Sequence, residues 1–260
     1  MFAATTAAAL GASRWKRKTL FAPSEVEFKT LNTFGFNIET TVMEASKQLM
    51  PLSGFYGEHF GSIKPEEGCE VVWAVATSAG SAVKCLGWPT WTTSMALIQG
   101  DHLTWGAMDW PILNERLISS AGNTYFQHIP NVYNRLPPLP AAKLSVRGSV
   151  ILSSLPTTLY EECALAALEA EALHVDYGFG AYAFLLLARG TIDAVIDYNI
   201  SPQLLVSIIP ILRGVGCVVT NWEGCETCSA RRIVAARNKE LASKIAATLT
   251  LFSNWRISAC

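Results

Sequence analysis

Trp73-Ala-Val-Ala-Thr-Ser-Ala-Gly-Ser81 is the stretch on which the reading of this chain turns. Val71 to Val75 form a short apolar run with the length of a buried strand. A Gly-rich loop borders it, and Gly80-Ser81 suits a strand-to-helix turn. Main-chain N–H groups at such a turn, together with the helix dipole, can cradle an anion. The stretch has no charge, and no acid lies between Val71 and Ser81.

Working outward, strand and helix signals alternate. Val42, Ala45 and Leu49 share one face of a helix predicted over Thr40–Met50. Thr93–Ile98 and Leu103–Met108 read as strands joined by a hairpin at Gln99–His102. Further strands are expected at Ser149–Ser153, Ile192–Ile196 and Val215–Thr220, with helices over Leu159–Leu173 and Asn238–Phe252. Glu161 and Glu162 complement the dipole at the start of the first of these helices. Any helix over Leu204–Leu212 is expected to be interrupted at Pro210 or to begin near it. The prolines between Pro130 and Pro140 should break both helix and sheet. They suggest an N-terminal α+β half over 1–140 and a C-terminal α/β half over 141–260. The alternation points to a layered α/β class.

Composition excludes several function classes. The chain has 260 residues, half of them hydrophobic and 16% charged, with net charge −1. Without a basic excess, a general nucleic-acid or membrane-surface binder is not expected. Ala181–Ala188 and Leu204–Leu212, the longest apolar runs, are too short to span a bilayer. The first 24 residues carry no acid but contain Arg14, Lys16, Arg17 and Lys18, a faint transit-peptide signal. Reading Thr5–Leu20 as a first helix instead gives a cytoplasmic expectation. Seven cysteines with no regular spacing suggest free thiols, and the lone Cys225-Glu-Thr-Cys228 has neither a second pair nor a nearby histidine to make a zinc site.

Several segments, in one consistent order, resemble the inositol monophosphatase superfamily. Trp73–Ser81 is similar to its W-V-L-D-P-I-D-G-T, and Gly57-Glu-His-Phe-Gly61 to its G-E-E-F-G. Gly87–Leu97 resembles G-L-P-x-x-G-T-x-I-A-L. Gly106–Arg116 resembles G-x-I-D-Q-P-x-L-x-E-R, which points to the histidinol-phosphatase-like branch. Tyr182–Asp197 and Ser201–Gly224 match the C-terminal half, so the resemblance runs from about Lys29 onward.

The resemblance implies a layered αβαβα sandwich with a site between the halves. It also implies a homodimer, and magnesium-dependent hydrolysis of a small phosphate monoester such as histidinol phosphate or an inositol phosphate. Hard cations take oxygen ligands, and clustered ions polarise the phosphoryl group and activate water. Matched to the family pattern, Glu58 keeps a metal ligand, whereas Ala76, Ala79 and Leu204 occupy ligand positions without a carboxylate. His59 replaces a second acid, and Glu39 is a candidate for the acid that positions the attacking water. Ala79, Gly80 and Ser81 would form the phosphate cradle for a monoester or inorganic phosphate. The catalytic candidates are thus Glu39, Glu58 and Ser81. Lys29 could assist the cradle or be a surface lysine. Glu66, Glu67 and Glu70 are read as a solvated loop, and Asp176 falls near but not on a family aspartate position, now Gly180, so no replacement cluster is expected. The expectation is a pseudoenzyme or impaired phosphatase. The alternatives are a phosphatase using a rearranged acidic set that includes Glu39, Glu58 and Glu70, and a non-catalytic regulatory or structural subunit of a dimer.

Overall fold

The computed structural model describes residues 25–77, 89–128, 132–140 and 145–251, with side chains from residue 35 onward. The expected helix over Thr5–Leu20 and the turn at Ala79, Gly80 and Ser81 lie outside the described residues. The chain divides into two units. One holds the residues up to Leu136 with Gly180–Tyr182 and Gln203–Ile211; the other holds Pro137–Phe179, Ala183–Pro202 and the residues from Leu212 on.

In the first unit, α1 (Glu25–Leu49) starts well before the expected Thr40. Weak helix formers such as Asn32, Thr33 and Gly35 hide its N-terminal half from propensity, and tertiary packing decides instead. Ile38 and Val42, one turn apart, bury against Phe55, Trp73, Val75 and Met95. Lys47 closes the C-terminus by donating from Nζ to the carbonyls of Pro51 (2.9 Å) and Ser53 (2.7 Å).

The strands are β1 (Gly54–Gly57), β2 (Ser62–Ile63), β3 (Val71–Ala76), β4 (Thr93–Gln99), β5 (His102–Trp110), β6 (Glu115–Ser120), β7 (Asn123–Gln127) and β8 (Tyr133–Arg135). They form one sheet in the order β2-β1-β3-β4-β5-β6-β7-β8. β1 and β3 run parallel, so their carboxyl ends lie side by side, with Gly57 opposite Val75. The β4–β5 hairpin forms where expected, turning at Gly100 with φ +56°. β8 is a correction: an exposed three-residue edge strand forms inside the proline-rich stretch. Edge strands tolerate neighbouring prolines because one row of their backbone groups needs no sheet partner.

The sheet's other face carries small residues, Ala74 and Ala96, packed on Val206 of α4 (Pro202–Arg213). A Cβ at Gly106 would meet the Ser207 carbonyl oxygen at 2.2 Å, so only glycine allows the helix this close. α4 also corrects an expectation, because it runs through Pro210 without a break. Pro210 removes one N–H from the ladder. Full burial of Leu205, Ile208, Ile209 and Ile211 holds the turn regardless.

In the second unit, β9 (Val150–Ser153), β10 (His174–Tyr177), β11 (Ala194–Asp197), β12 (Val218–Asn221) and β13 (Ile233–Ala236) form a sheet in the order β10-β9-β11-β13-β12. β9, β10 and β11 are parallel, and β13 is antiparallel to both its neighbours. β12 begins at Val218, later than the expected Val215, after Gly216 at φ +83°. The helices α2 (Leu159–Glu171) and α5 (Lys239–Thr250) bury Leu165, Leu168, Leu241 and Ile245 with Ile151, Ile196 and Trp222. α2 starts with a capping box between Thr158 and Glu161. Asn238 caps α5 by accepting from the Leu241 N–H at 2.8 Å. α3 (Tyr182–Ala188), whose first residue belongs to the first unit, completes the described α-helices. None of the described helices is long and apolar enough to cross a membrane.

Candidate functional site

The parallel pairing of β1 with β3 brings Glu58, just past β1, beside Ala76 and Thr77 at the end of β3. The N–H of Thr77 donates to Glu58 Oε2 at 2.8 Å, and its hydroxyl lies 3.4 Å from the same oxygen. Gln203, in the first turn of α4, donates from Nε2 to the Gly57 carbonyl at 3.1 Å. That bond draws the start of α4, with Leu204 beside it in sequence, to the same strand end. The first unit therefore brings positions 58 and 76 together, with 204 one residue along the helix from the side chain that reaches Gly57.

Glu39 reaches this region from α1, but its carboxylate is fully buried under the turn after β1. The N–H of Glu58 donates to Oε1 at 2.8 Å and that of Phe60 to Oε2 at 3.1 Å. The N–H of His59 reaches both oxygens, at 3.1 and 3.0 Å. Three successive amides thus hold one anion, as in a backbone nest. A Cβ on Gly57 would meet Glu39 Oε2 at 2.2 Å, so the glycine makes room for this carboxylate. Gly61 at φ +66° and a Gly57 N–H to Gly61 carbonyl bond of 2.9 Å close the turn.

One helical turn before Glu39, Gly35 faces the cluster. A Cβ there would meet His59 Nε2 at 2.4 Å and Thr77 Oγ1 at 3.1 Å. Gly35, Thr77 and Gln203 were not singled out from the sequence. The position of Thr77, next to Ala76 at the strand end, was the available signal; Gly35 and Gln203 had none.

Ala76 has no exposed surface and Leu204 is 6% exposed. Opposite Ala76 on β4 stands Ser94, fully buried, whose hydroxyl has no hydrogen-bond partner among the described residues. Glu66, Glu67 and Glu70 are exposed, and Asp176, in the second unit, lies 4.0 Å from exposed His174. The paired cysteines Cys225 and Cys228 are free and exposed.

Residues 34–251 match the sequence model of the inositol monophosphatase family. The chain belongs to that family. Among curated proteins, this family member is similar to the bifunctional phosphatase IMPL2, chloroplastic, of Arabidopsis thaliana. The two are 29% identical over 179 residues, covering 68% of this chain and 50% of that protein. The chain thus spans about half the length of the curated relative it matches. Among solved structures it resembles an inositol monophosphatase from Zymomonas mobilis, with a TM-score of 0.79, 17% identity, and 94% and 93% of the two chains covered. It also resembles the extragenic suppressor protein suhB from Bartonella henselae, with a TM-score of 0.76, 19% identity and 96% of each chain covered. These likenesses give the inositol monophosphatase family member an α/β sandwich fold, the class expected from its alternating elements.

Inositol monophosphatases are generally magnesium-dependent. The donors of this family member do not fit that ion cluster. Every histidine and acid of the chain falls among the described residues, and only Glu25 and Glu27 lack described side chains. Among the described residues no group of three His, Cys, Asp or Glu side chains stands close enough to hold a metal. Both Glu39 oxygens are engaged by amides. Hydrocarbon occupies positions 76 and 204, and residues 78–88 contain no Asp, Glu or His.

Proposed function

We propose that this inositol monophosphatase family member binds a small phosphate monoester or inorganic phosphate without hydrolysing it. Its cradle would be the Ala79-Gly80-Ser81 turn, whose main-chain amides do not depend on the missing acids. The ancestral substrate class, by resemblance to the histidinol-phosphatase-like branch, is histidinol phosphate or an inositol phosphate. The carrying observation is the conversion of Ala76 to fully buried core at the strand end beside Glu58. Hydrolysis through clustered divalent ions needs several carboxylates around the ester. Here the retained Glu58 receives the Thr77 amide, and Glu39 braces a turn. Glu39 is accordingly proposed as a positioning residue for the Glu58 turn, rather than as the acid that orients water. With a homodimeric assembly, the chain would act as a phosphate-responsive subunit in the cytoplasm.

Calorimetric titration with magnesium or manganese, with and without phosphate, tests the proposal alongside hydrolysis of an aryl phosphate. No saturable cation binding and no magnesium-stimulated turnover are expected, while phosphate binds with a component that a Ser81→Trp variant loses. Turnover that requires magnesium and disappears in Glu58→Ala would overturn the reading in favour of a working phosphatase with a rearranged acidic set.

A further inference from the structure

The second unit contains a cavity of 620 Å³ that the reading above does not use. It opens beyond the carboxyl ends of β9, β11 and β12, where Thr157, Asn199 and Asn221 line it. β12 is parallel to β9 and β11, because β13 runs antiparallel to both β11 and β12. Open α/β sheets take ligands at this end of their strands, and the volume falls among those of small-molecule sites.

The lining is rich in donors. Arg231 and Arg232 bring two guanidinium groups, and α2 points its N-terminus, the positive end of its dipole, at the same space. Glu161 offsets the charge of Arg232 and has its oxygens fully committed, which leaves the Arg231 guanidinium to meet an anion. Oε1 takes Arg232 Nε at 3.0 Å and Nη2 at 2.8 Å; Oε2 takes the N–H groups of Thr157 and Thr158 and the Thr157 hydroxyl. The Arg232 guanidinium is held over Trp222 and Tyr160, 5.4 and 5.7 Å from the ring centroids. Exposed Arg231 donates to Asn199 Oδ1 at 2.7 Å, which aims its guanidinium along the rim. Glu223, exposed on the lip, adds an acceptor for a hydroxyl.

A second, independent observation points to a ligand. Tyr198 lines the cavity, is 4% exposed, and its buried hydroxyl makes no hydrogen bond among the described residues. The neighbouring Ser153 hydroxyl opposes the effect of burial, and it donates to the Ser154 carbonyl. Burial pushes the Tyr198 phenol up to about 12, so it stays a neutral donor at any physiological pH. An orphaned buried donor costs stability unless something accepts from it.

We propose that this cavity binds the oxyanion of a small hydroxylated ligand, a phosphate ester or a carboxylate, with Tyr198 and Arg231 as donors to the anion and Glu223 facing a hydroxyl. The site lies in the second unit, whereas the Glu58 neighbourhood belongs to the first.

Calorimetry on the full chain with inorganic phosphate, glycerol 3-phosphate and citrate tests this. Tyr198→Phe should weaken binding about three- to tenfold, the worth of one hydrogen bond, and Arg231→Gln about tenfold or more. Tyr198 packs in the core beside Trp222, but phenylalanine keeps that ring contact, and Arg231 is exposed; circular dichroism checks that each variant keeps its fold. Ser81→Trp should leave this binding intact. Tighter binding of glycerol 3-phosphate than of citrate assigns the site to phosphate esters; the reverse order assigns it to carboxylates. The proposal fails if no probe binds at about 10 mM, if neither cavity substitution matters, or if Ser81→Trp alone removes the heat.

Discussion

Glu39 in the first unit and Glu161 in the second are both buried acids that tie down a turn through backbone amides. Glu39 takes the amides of residues 58, 59 and 60. Glu161 takes those of Thr157 and Thr158 and then adds Arg232. The first carboxylate is balanced by dipoles, the second by dipoles and a cation that also stacks on two aromatic rings. The difference teaches how an acid beside a family site can be structural. A carboxylate that carries three main-chain donors has its lone pairs directed at the protein and little left for a metal or a water. A buried negative charge does not require a cation when a nest of amides surrounds it.

The sharpest way to break the comparison is Glu39→Ala. It strands three amides in a buried turn and should cost about 3 kcal/mol or more in denaturant unfolding. A loss under about 1 kcal/mol would mean that water readily replaces the carboxylate. Next comes Gly57→Ala, which places a methyl group 2.2 Å from Glu39 Oε2 and should cost about 2–3 kcal/mol. In the Glu39→Ala background part of that cost should vanish, the 2.8 Å approach to Phe55 Cε1 remaining, and the double-mutant cycle reads the coupling; fully additive losses would sink the proposed clash with Glu39.

Glu161→Gln should cost about 2 kcal/mol, since it weakens the capping box and leaves Arg232 without its counter-charge. It carries a pH signature as well. Burial alone would raise the Glu161 carboxyl, but bonds from Thr157 and the Arg232 guanidinium outweigh it and hold the group below its ordinary 4.5. A carboxyl depressed in the folded state stabilises above that ordinary value, and the contribution fades as pH falls through the folded one. The parent should therefore lose stability below about pH 4.5 more steeply than Glu161→Gln in an acid titration of unfolding free energy. The smallest effect is expected from Arg232→Lys, about 1 kcal/mol. The charge remains, but the planar contact with Trp222 and Tyr160 and the two-point approach to Glu161 are lost. Equal stability of the two proteins would show that the point charge alone serves Glu161.

Much of the fold was legible locally. The β4–β5 hairpin follows from two apolar strands around Gly100, and α2 from an acidic first turn after Thr158. Pro210 misled because its local cost is fixed, whereas the burial that offsets it comes from distant residues. The N-terminal half of α1 stayed hidden for the same reason, with Ile38 and Val42 finding their partners on the sheet.

The chain of residues by itself determined the family, because the motif order from Gly57 to Gly224 survives substitution. It also determined the absence of acid from residues 71–81, since no fold can supply a carboxylate the chain does not encode. Tertiary structure alone decided what the remaining acids do. Glu39 and the turn amides that occupy it are 19 to 21 positions apart, and their meeting depends on how α1 lies against the parallel pair β1 and β3. Hydrogen bonds of that range depend on packing geometry, which one-dimensional spacing does not carry.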